Sequence, residues 1–307
     1  MDTAERRLNG KHLSFYPGCS CSKNGTARRY GSSSIAVLKA LGIEVSEIND
    51  WNCCGSNLYR IIDERGSYFL GARNLSKALE MGLPEILILC PACFLSLNRT
   101  LTEISRNTNL KNEIAKKYRV LGGPAVSRLR IRHIIDFLVN DVGEEDVKNR
   151  VVKRLEGLKV AAYYGCQITR PYGYFDDPEF PTSLERLISW IGGQPIESNL
   201  KTKCCGGMLM LTNEEEVLNV IESILRSYVK SGAECIVTAC PLCHLNLEIG
   251  RARLSGRVGL DENFPIIYFT QLIGLSFNIP VEELGLGKDD VGRITEKVRL
   301  TATVKGV

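Results

Sequence analysis

The sequence predicts an α/β protein of two homologous domains, each a mostly parallel sheet flanked by helices, with cysteine clusters at the carboxyl ends of strands. Three observations carry that expectation. First, one five-cysteine pattern occurs twice, with offsets of 147 (19 to 166), 151 (53 to 204 and 54 to 205) and 150 (90 to 240 and 93 to 243). Second, strand-like and helix-like segments alternate between the cysteines, as in sheets covered by helices. Third, 307 residues suit two domains on the usual prior of about 150 each. The expected division is 1–150 and 151–307, each half being able to bury about two-thirds of its unfolded surface.

The elements follow in order. Residues 1–11 are charged and read as loose. His12–Tyr16 is a short strand running into the turn Pro17-Gly18-Cys19. Thr26–Leu41 carries Ile35, Leu38 and Leu41 at helical spacing and stops at Gly42, a helix-end signal. Ile43–Ile48 alternates as a strand and delivers Trp51 and the Cys53–Cys54 pair. A helix over 66–81 ends at Gly82. The apolar run Ile86–Leu89, bounded by Pro84 and Pro91, reads as a buried strand ending at Cys90, and Cys93 opens a long amphipathic helix towards Tyr118.

Residues 120–158 bridge the halves: a turn at 121–124, a short strand at Arg130–His133, a helix at Ile134–Val142 and a charged helical stretch at Glu144–Glu156. The second half repeats the plan. Lys159–Tyr164 is a strand into Gly165-Cys166, Thr182–Ile191 a helix, Gln194–Ser198 a strand before Cys204–Cys205, Glu214–Lys230 a helix, and Cys235–Ala239 a strand into Cys240. Residues 266–277 form a last strand and helix. The tail beyond Gly285 has little hydrophobic pattern and reads as peripheral or as a partner contact.

Composition narrows the chemistry. A 44% hydrophobic, 24% charged chain of net charge +4 is an ordinary globular composition, with no basic tract to argue for nucleic acid. No apolar run approaches the ~18 residues of a membrane span. The polar start Met-Asp-Thr-Ala-Glu-Arg-Arg lacks the apolar core of a secretion signal, so twelve cysteines point to metal or redox work in the cytoplasm rather than to disulfides.

Each half offers one C-x-x-C, one adjacent pair and one upstream cysteine. Structural zinc takes four ligands, usually as two pairs. Adjacent cysteines project differently and suit a centre with several metal atoms, and soft thiolates suit iron–sulfur. Zinc and thiol redox chemistry stay open on spacing alone. Gly55 and Gly206 let the backbone approach the centre closely; Pro91 and Pro241 fix φ inside the C-x-x-C turns, which ordinary turn chemistry also explains.

The motifs YPGC (16–19), DWNCCG (50–55), CPAC (90–93), YYGC (163–166), KTKCCGG (201–207) and ACPLC (239–243) resemble the Cys-Cys-Gly cysteine-rich domain family, and within it the B subunits of heterodisulfide reductases. The likeness extends to Asp177-Pro178-Glu179 and Pro181–Leu184 and covers about residues 12–278. It implies an oxidoreductase component that cleaves or forms disulfides at two non-cubane 4Fe–4S clusters. Cys19, Cys53, Cys54, Cys90 and Cys93 would hold one, and Cys166, Cys204, Cys205, Cys240 and Cys243 the other. The implied substrate is a disulfide, thiol or protein-bound sulfur.

No C-x-x-C-x-x-C run and no G-x-G-x-x-G after a strand is present. Hence no ferredoxin-type cluster, flavin or nicotinamide site is expected, and the resemblance implies docking onto a ferredoxin-like iron–sulfur protein and, through it, a flavoprotein. An alternative role is that of a non-catalytic, electron-transfer or quinone-linked component, as Cys-Cys-Gly domains serve elsewhere.

The remaining candidates have plainer explanations. Cys21 lies outside the pattern and reads as a bystander in the Ser20–Lys23 loop, Cys235 as a small buried hydrophobe. His244, beside Cys243, is a weak candidate proton donor; a supporting or surface place is its more ordinary reading. His12 and His133 read as structural, and Lys201, Lys203, Arg28 and Arg29 as solvated surface unless they offset cluster charge or bind a carboxylate.

Overall fold

The computed structural model describes residues 11–56, 58–297 and 299–302. The first half builds a four-stranded sheet from β1 (His12–Tyr16), β2 (Glu44–Glu47), β3 (Glu85–Ile88) and β4 (Arg130–His133), in the spatial order β2-β1-β3-β4. All three pairings are parallel. The first half also supplies α1 (Arg28–Ala40), α2 (Glu64–Glu80), α3 (Pro91–Arg106) and α4 (Thr108–Lys117).

The second half contributes the strands β5 (Lys153–Glu156), β6 (Lys159–Tyr163), β7 (Gln194–Ile196), β8 (Cys235–Thr238), β9 (Ile266–Tyr268) and β10 (Arg299–Ala302). Its helices are α5 (Ser183–Trp190), α6 (Glu214–Lys230), α7 (Pro241–Val258), α8 (Phe269–Ser276) and α9 (Lys288–Lys297). Its parallel sheet runs β7-β6-β8-β9, the same order as the first. The chain is therefore an α/β protein with two four-stranded parallel sheets flanked by helices.

The period of two along each strand explains how the sheets stack. In β1, and in β3 with the residue after it, Leu13, Phe15, Leu87 and Leu89 face one core, while Tyr16, Ile86 and Ile88 face another. Around β6 and β8, Val160, Ala162, Cys235 and Val237 join the same core as Leu13, while Ala161, Tyr163 and Ile236 face a third. One central core is thus shared by both sheets, and each half has an outer core of its own. Burying a Leu, Ile or Phe side chain there contributes roughly 1.5–3 kcal/mol. The shared core joins the halves into one body.

Several elements depart from their sequence expectation. The long helix after Cys93 breaks at Asn107, which leaves helical dihedrals (φ −108, ψ 99) and caps α4 by accepting from the Leu110 N–H at 3.0 Å. The helix expected over 134–142 starts as an α turn and then widens into a π turn at Leu138–Val142. The stretch 144–156 is not all helix: Gly143–Arg150 is, and β5 follows. The tail beyond Gly285 is not peripheral, because α9 places Ile294 in the shared core and β10 pairs antiparallel with β5. The loose segment expected at the N-terminus lies outside the described residues except for Lys11.

Candidate functional site

The cysteines of the repeat cluster just past the carboxyl ends of strands. Cys19, Cys53–Cys54 and Cys90 follow β1, β2 and β3, and Cys166, Cys204–Cys205 and Cys240 follow β6, β7 and β8. In each sheet the chain order reverses about the first strand, the place where open α/β sheets leave a crevice. Cys93 and Cys243 stand in the first turns of α3 and α7, where backbone N–H groups favour negative charge.

The thiols meet as two matching chains. In the first half contact runs Cys19–Cys53–Cys54–Cys93–Cys90, with Cys54 Sγ 3.2 Å from Cys93 Sγ. In the second it runs Cys166–Cys204–Cys205–Cys243–Cys240. Among the described residues no three His, Cys, Asp or Glu side chains close around a point that would hold a single ion. A line of five soft donors fits a multi-iron cluster better than a tetrahedral zinc.

Matching hydrogen bonds hold each chain in place. Tyr16 and Tyr163 donate through their hydroxyls to the carbonyls of Asn52 and Lys203 at 2.7 Å, fixing the residue before each cysteine pair. From the helices, Ser96 Oγ donates to the Cys54 carbonyl at 2.7 Å and Asn246 Nδ2 to the Cys205 carbonyl at 3.0 Å. Gly18 (φ +64) and Gly165 (φ +70) adopt left-handed backbone that favours glycine. A Cβ at either would lie 3.0 Å from Cys93 Sγ or 2.7 Å from Cys243 Sγ. The chain thus reserves space beside corresponding thiols in both halves.

Crowding polarises the thiols. Cys54 is held well below the ordinary thiol range by hydrogen bonds from Cys53 and then Cys93. Cys204 is held at about 2 by Cys166 and then Cys205. Cys240 is lowered by Cys243 and by backbone N–H groups of Cys243 and Leu242. Cys19 and Cys166 are pushed up, chiefly because their own S–H donates to Cys53 and Cys204. Cys53, Cys93 and Cys243 are pushed up as well, and Cys205 to about 12, so thiolate, the metal-binding form, is favoured at Cys54 in the first set and at Cys204 and Cys240 in the second.

The second set opens onto a cavity of about 360 Å³. Its wall holds Cys166, Cys204, Cys205, Cys240 and Cys243 together with Met208, Leu209, Leu211 and Leu242, and Ile61 and Pro91 come across from the first half. Ile61, Leu209 and Leu211 are exposed.

Other candidates fall differently. Lys201 is not solvated surface: it is buried and ion-paired with buried Glu185 at 2.6 Å. Glu185 also accepts from the Tyr164 hydroxyl, and the Lys201 carbonyl accepts from the Tyr164 and Gly165 N–H groups at 2.9 and 3.1 Å. Sequence reading missed this brace beneath Cys166. Lys203, Arg28 and Arg29 are exposed, and Cys235 is fully buried. His133 is buried, with Nε2 2.7 Å from the Leu89 carbonyl, and His12 bonds Ser46 at 2.8 Å. His244 is stacked on Tyr268 with Nε2 3.0 Å from the Ile266 carbonyl, and burial pushes it down to about 4. That carbonyl can only accept, so Nε2 carries the hydrogen and Nδ1 is left without one in the neutral ring. Cys21 lies in a short helix, Gly18–Cys21, and is buried.

Fold and site together define a two-sheet α/β protein carrying a duplicated five-thiol centre. Comparison with known proteins then places it: a family described as "Cysteine-rich domain" (CCG) matches residues 13–98 and 160–248, and the chain belongs to that family. It is 32% identical over 280 residues to the 8-methylmenaquinol:fumarate reductase membrane anchor subunit of Wolinella succinogenes, covering 90% of this chain and 95% of that one. It is 29% identical over 264 residues to the B subunit of the ferredoxin:CoB-CoM heterodisulfide reductase of Methanosarcina mazei, covering 84% and 87%. Heterodisulfide reductase B subunits are thus among its relatives. A crystal structure of a hypothetical protein from Helicobacter pylori shares the fold at a TM-score of 0.67 and 13% identity, covering 90% of this chain and 51% of that one.

Proposed function

We propose that this chain is the iron–sulfur catalytic subunit of a heterodisulfide reductase-like complex, making or breaking sulfur–sulfur bonds of a disulfide, thiol or protein-bound sulfur substrate. Cys19, Cys53, Cys54, Cys90 and Cys93 hold one four-iron cluster of the non-cubane kind, and Cys166, Cys204, Cys205, Cys240 and Cys243 the other. The domains divide near residue 150. The observation that carries the reading is the second thiol set lining an open cavity, which gives a substrate sulfur access to the centre.

Such clusters, when bound, supply electrons one at a time next to iron. The overall change is R–S–S–R′ + 2 electrons + 2 protons → R–SH + R′–SH, or its reverse. The protein's residues do the rest. Gly18 and Gly165 leave room beside the thiols, Tyr16, Tyr163, Ser96 and Asn246 fix the ligand loops, and Met208, Leu209 and Leu242 give the chamber an apolar wall. The electrons are exchanged with a ferredoxin-like iron–sulfur protein and, through it, a flavoprotein in the cytoplasm, which supply them when the disulfide is cleaved and take them when it is formed. Among the described residues no helix is long and apolar enough to cross a membrane.

A second reading, a quinone-linked electron-transfer component, draws on one specific observation. Apart from the thiols and Tyr164, the chamber wall carries no ionisable side chain, and its rim residues Ile61, Leu209 and Leu211 are apolar and exposed. A relative is also named for methylmenaquinol. Low-temperature EPR of the anaerobic complex separates the two. A signal altered by added dithiol or disulfide supports the first. A signal altered only by a menaquinone analogue replaces it with the second.

A further inference from the structure

Tyr30 of α1 is fully buried, and its hydroxyl has no hydrogen-bond partner among the described residues. Its ring cannot swing away to find one. It stacks on Tyr268 at 4.4 Å with planes 3° apart, and meets the edge of Phe269 at 6.1 Å. This stack crosses between the halves, since α1 belongs to the first and Tyr268 ends β9 of the second. A stranded buried hydroxyl is destabilising, so a tyrosine kept where a phenylalanine would fit calls for an acceptor.

The surroundings indicate which acceptor. The thiols of Cys21, Cys90 and Cys240 all stand close enough to the phenol to raise its ionisation, after burial itself. Cys90 ends one thiol chain and Cys240 the other. The corresponding aromatic contact of the first sheet, His133 stacked on Phe175, has no hydroxyl. Tyr30 is therefore a buried donor between the two sets, with no oxygen or sulfur acceptor in reach among the described residues.

We infer that Tyr30 donates its hydrogen bond to a sulfide of the occupied centre, an acceptor present only with the cluster, and so raises that cluster's reduction potential. The inference rests on the iron–sulfur reading above. Hydrogen bonds to cluster sulfurs favour the reduced, more negative state, so losing the donor lowers the potential. Tyr30 is a positioning and tuning residue: it touches sulfur and no substrate.

The test is a potentiometric titration, read by EPR, of the anaerobically purified complex carrying wild-type chain, Tyr30→Phe or Tyr228→Phe. Tyr228 is equally buried, but its hydroxyl already donates to the Ala162 carbonyl at 2.7 Å. The expected result is an unchanged iron content with a lower midpoint potential for Tyr30→Phe alone. Wild-type potential at full iron content in Tyr30→Phe overturns the inference. Should that variant lose iron, thermal unfolding of the iron-stripped full chains decides: Tyr30→Phe at least as stable as wild type supports an acceptor present only with the cluster, and a less stable variant overturns it. A wild-type complex without iron sinks the iron–sulfur reading itself, and this inference with it.

Discussion

Replacing Gly165 by alanine tests the thiol cradle directly. The backbone there has φ +70, and a left-handed dihedral costs a non-glycine residue about 1–2 kcal/mol. The new Cβ would also stand 2.7 Å from Cys243 Sγ, where ordinary contact begins at 3.4 Å. The sulfur must therefore retreat by about 3.4 − 2.7 = 0.7 Å, well beyond the roughly 0.2 Å that metal–ligand distances tolerate. The expected outcome is loss of the second cluster, with iron falling from about eight to about four per chain. Gly82→Ala is the control, because Gly82 shares the strain (φ +74) with nothing within 4 Å of the new Cβ. It should lose about 1–2 kcal/mol of stability and no iron. The assay is iron and acid-labile sulfide per chain after anaerobic reconstitution. Full iron in Gly165→Ala would refute the cradle.

Two further outcomes concern stability. Lys201→Met leaves Glu185 buried without its cation, and breaking a buried pair from one side costs roughly 3–5 kcal/mol; chemical denaturation should show a loss of that size, with Lys201→Met/Glu185→Gln recovering part of it. Burial holds His133 down to about 3 against 6.5 in the unfolded chain, so the unfolded chain binds the extra proton between those values. Stability is then full above about 6.5 and is lost as pH falls towards 3, by up to about 5 kcal/mol at 1.36 kcal/mol per pH unit. A His133→Gln chain should show a flatter acid limb in the same denaturation series, and an unchanged one would contradict the assignment.

Local features were legible in the sequence because local physics sets them. The strand before each cysteine, the glycines at helix ends and the five-cysteine register needed only period, turn chemistry and repetition. The tyrosines of YPGC and YYGC were visible as letters, but their hydroxyl bonds to residues 52 and 203 depend on two strands lying side by side. Lys201 looked like surface because Glu185 is sixteen positions away and comes near only when α5 packs on β6. The Asn107 break carried a signal, an asparagine where a helix can restart, which amphipathic spacing overrode. The tail beyond Gly285 lacked pattern since one residue, Ile294, does much of its anchoring. The shared core, and with it the Tyr30–Tyr268 stack, arises between halves and leaves no trace in either repeat alone.

The central claim is that each five-thiol chain holds a four-iron cluster. Counting iron and acid-labile sulfide in the wild-type protein, purified without oxygen and checked for zinc, tests it most directly. About eight of each per chain are predicted. About four irons would leave one thiol set empty, and zinc in place of iron would contradict the claim outright.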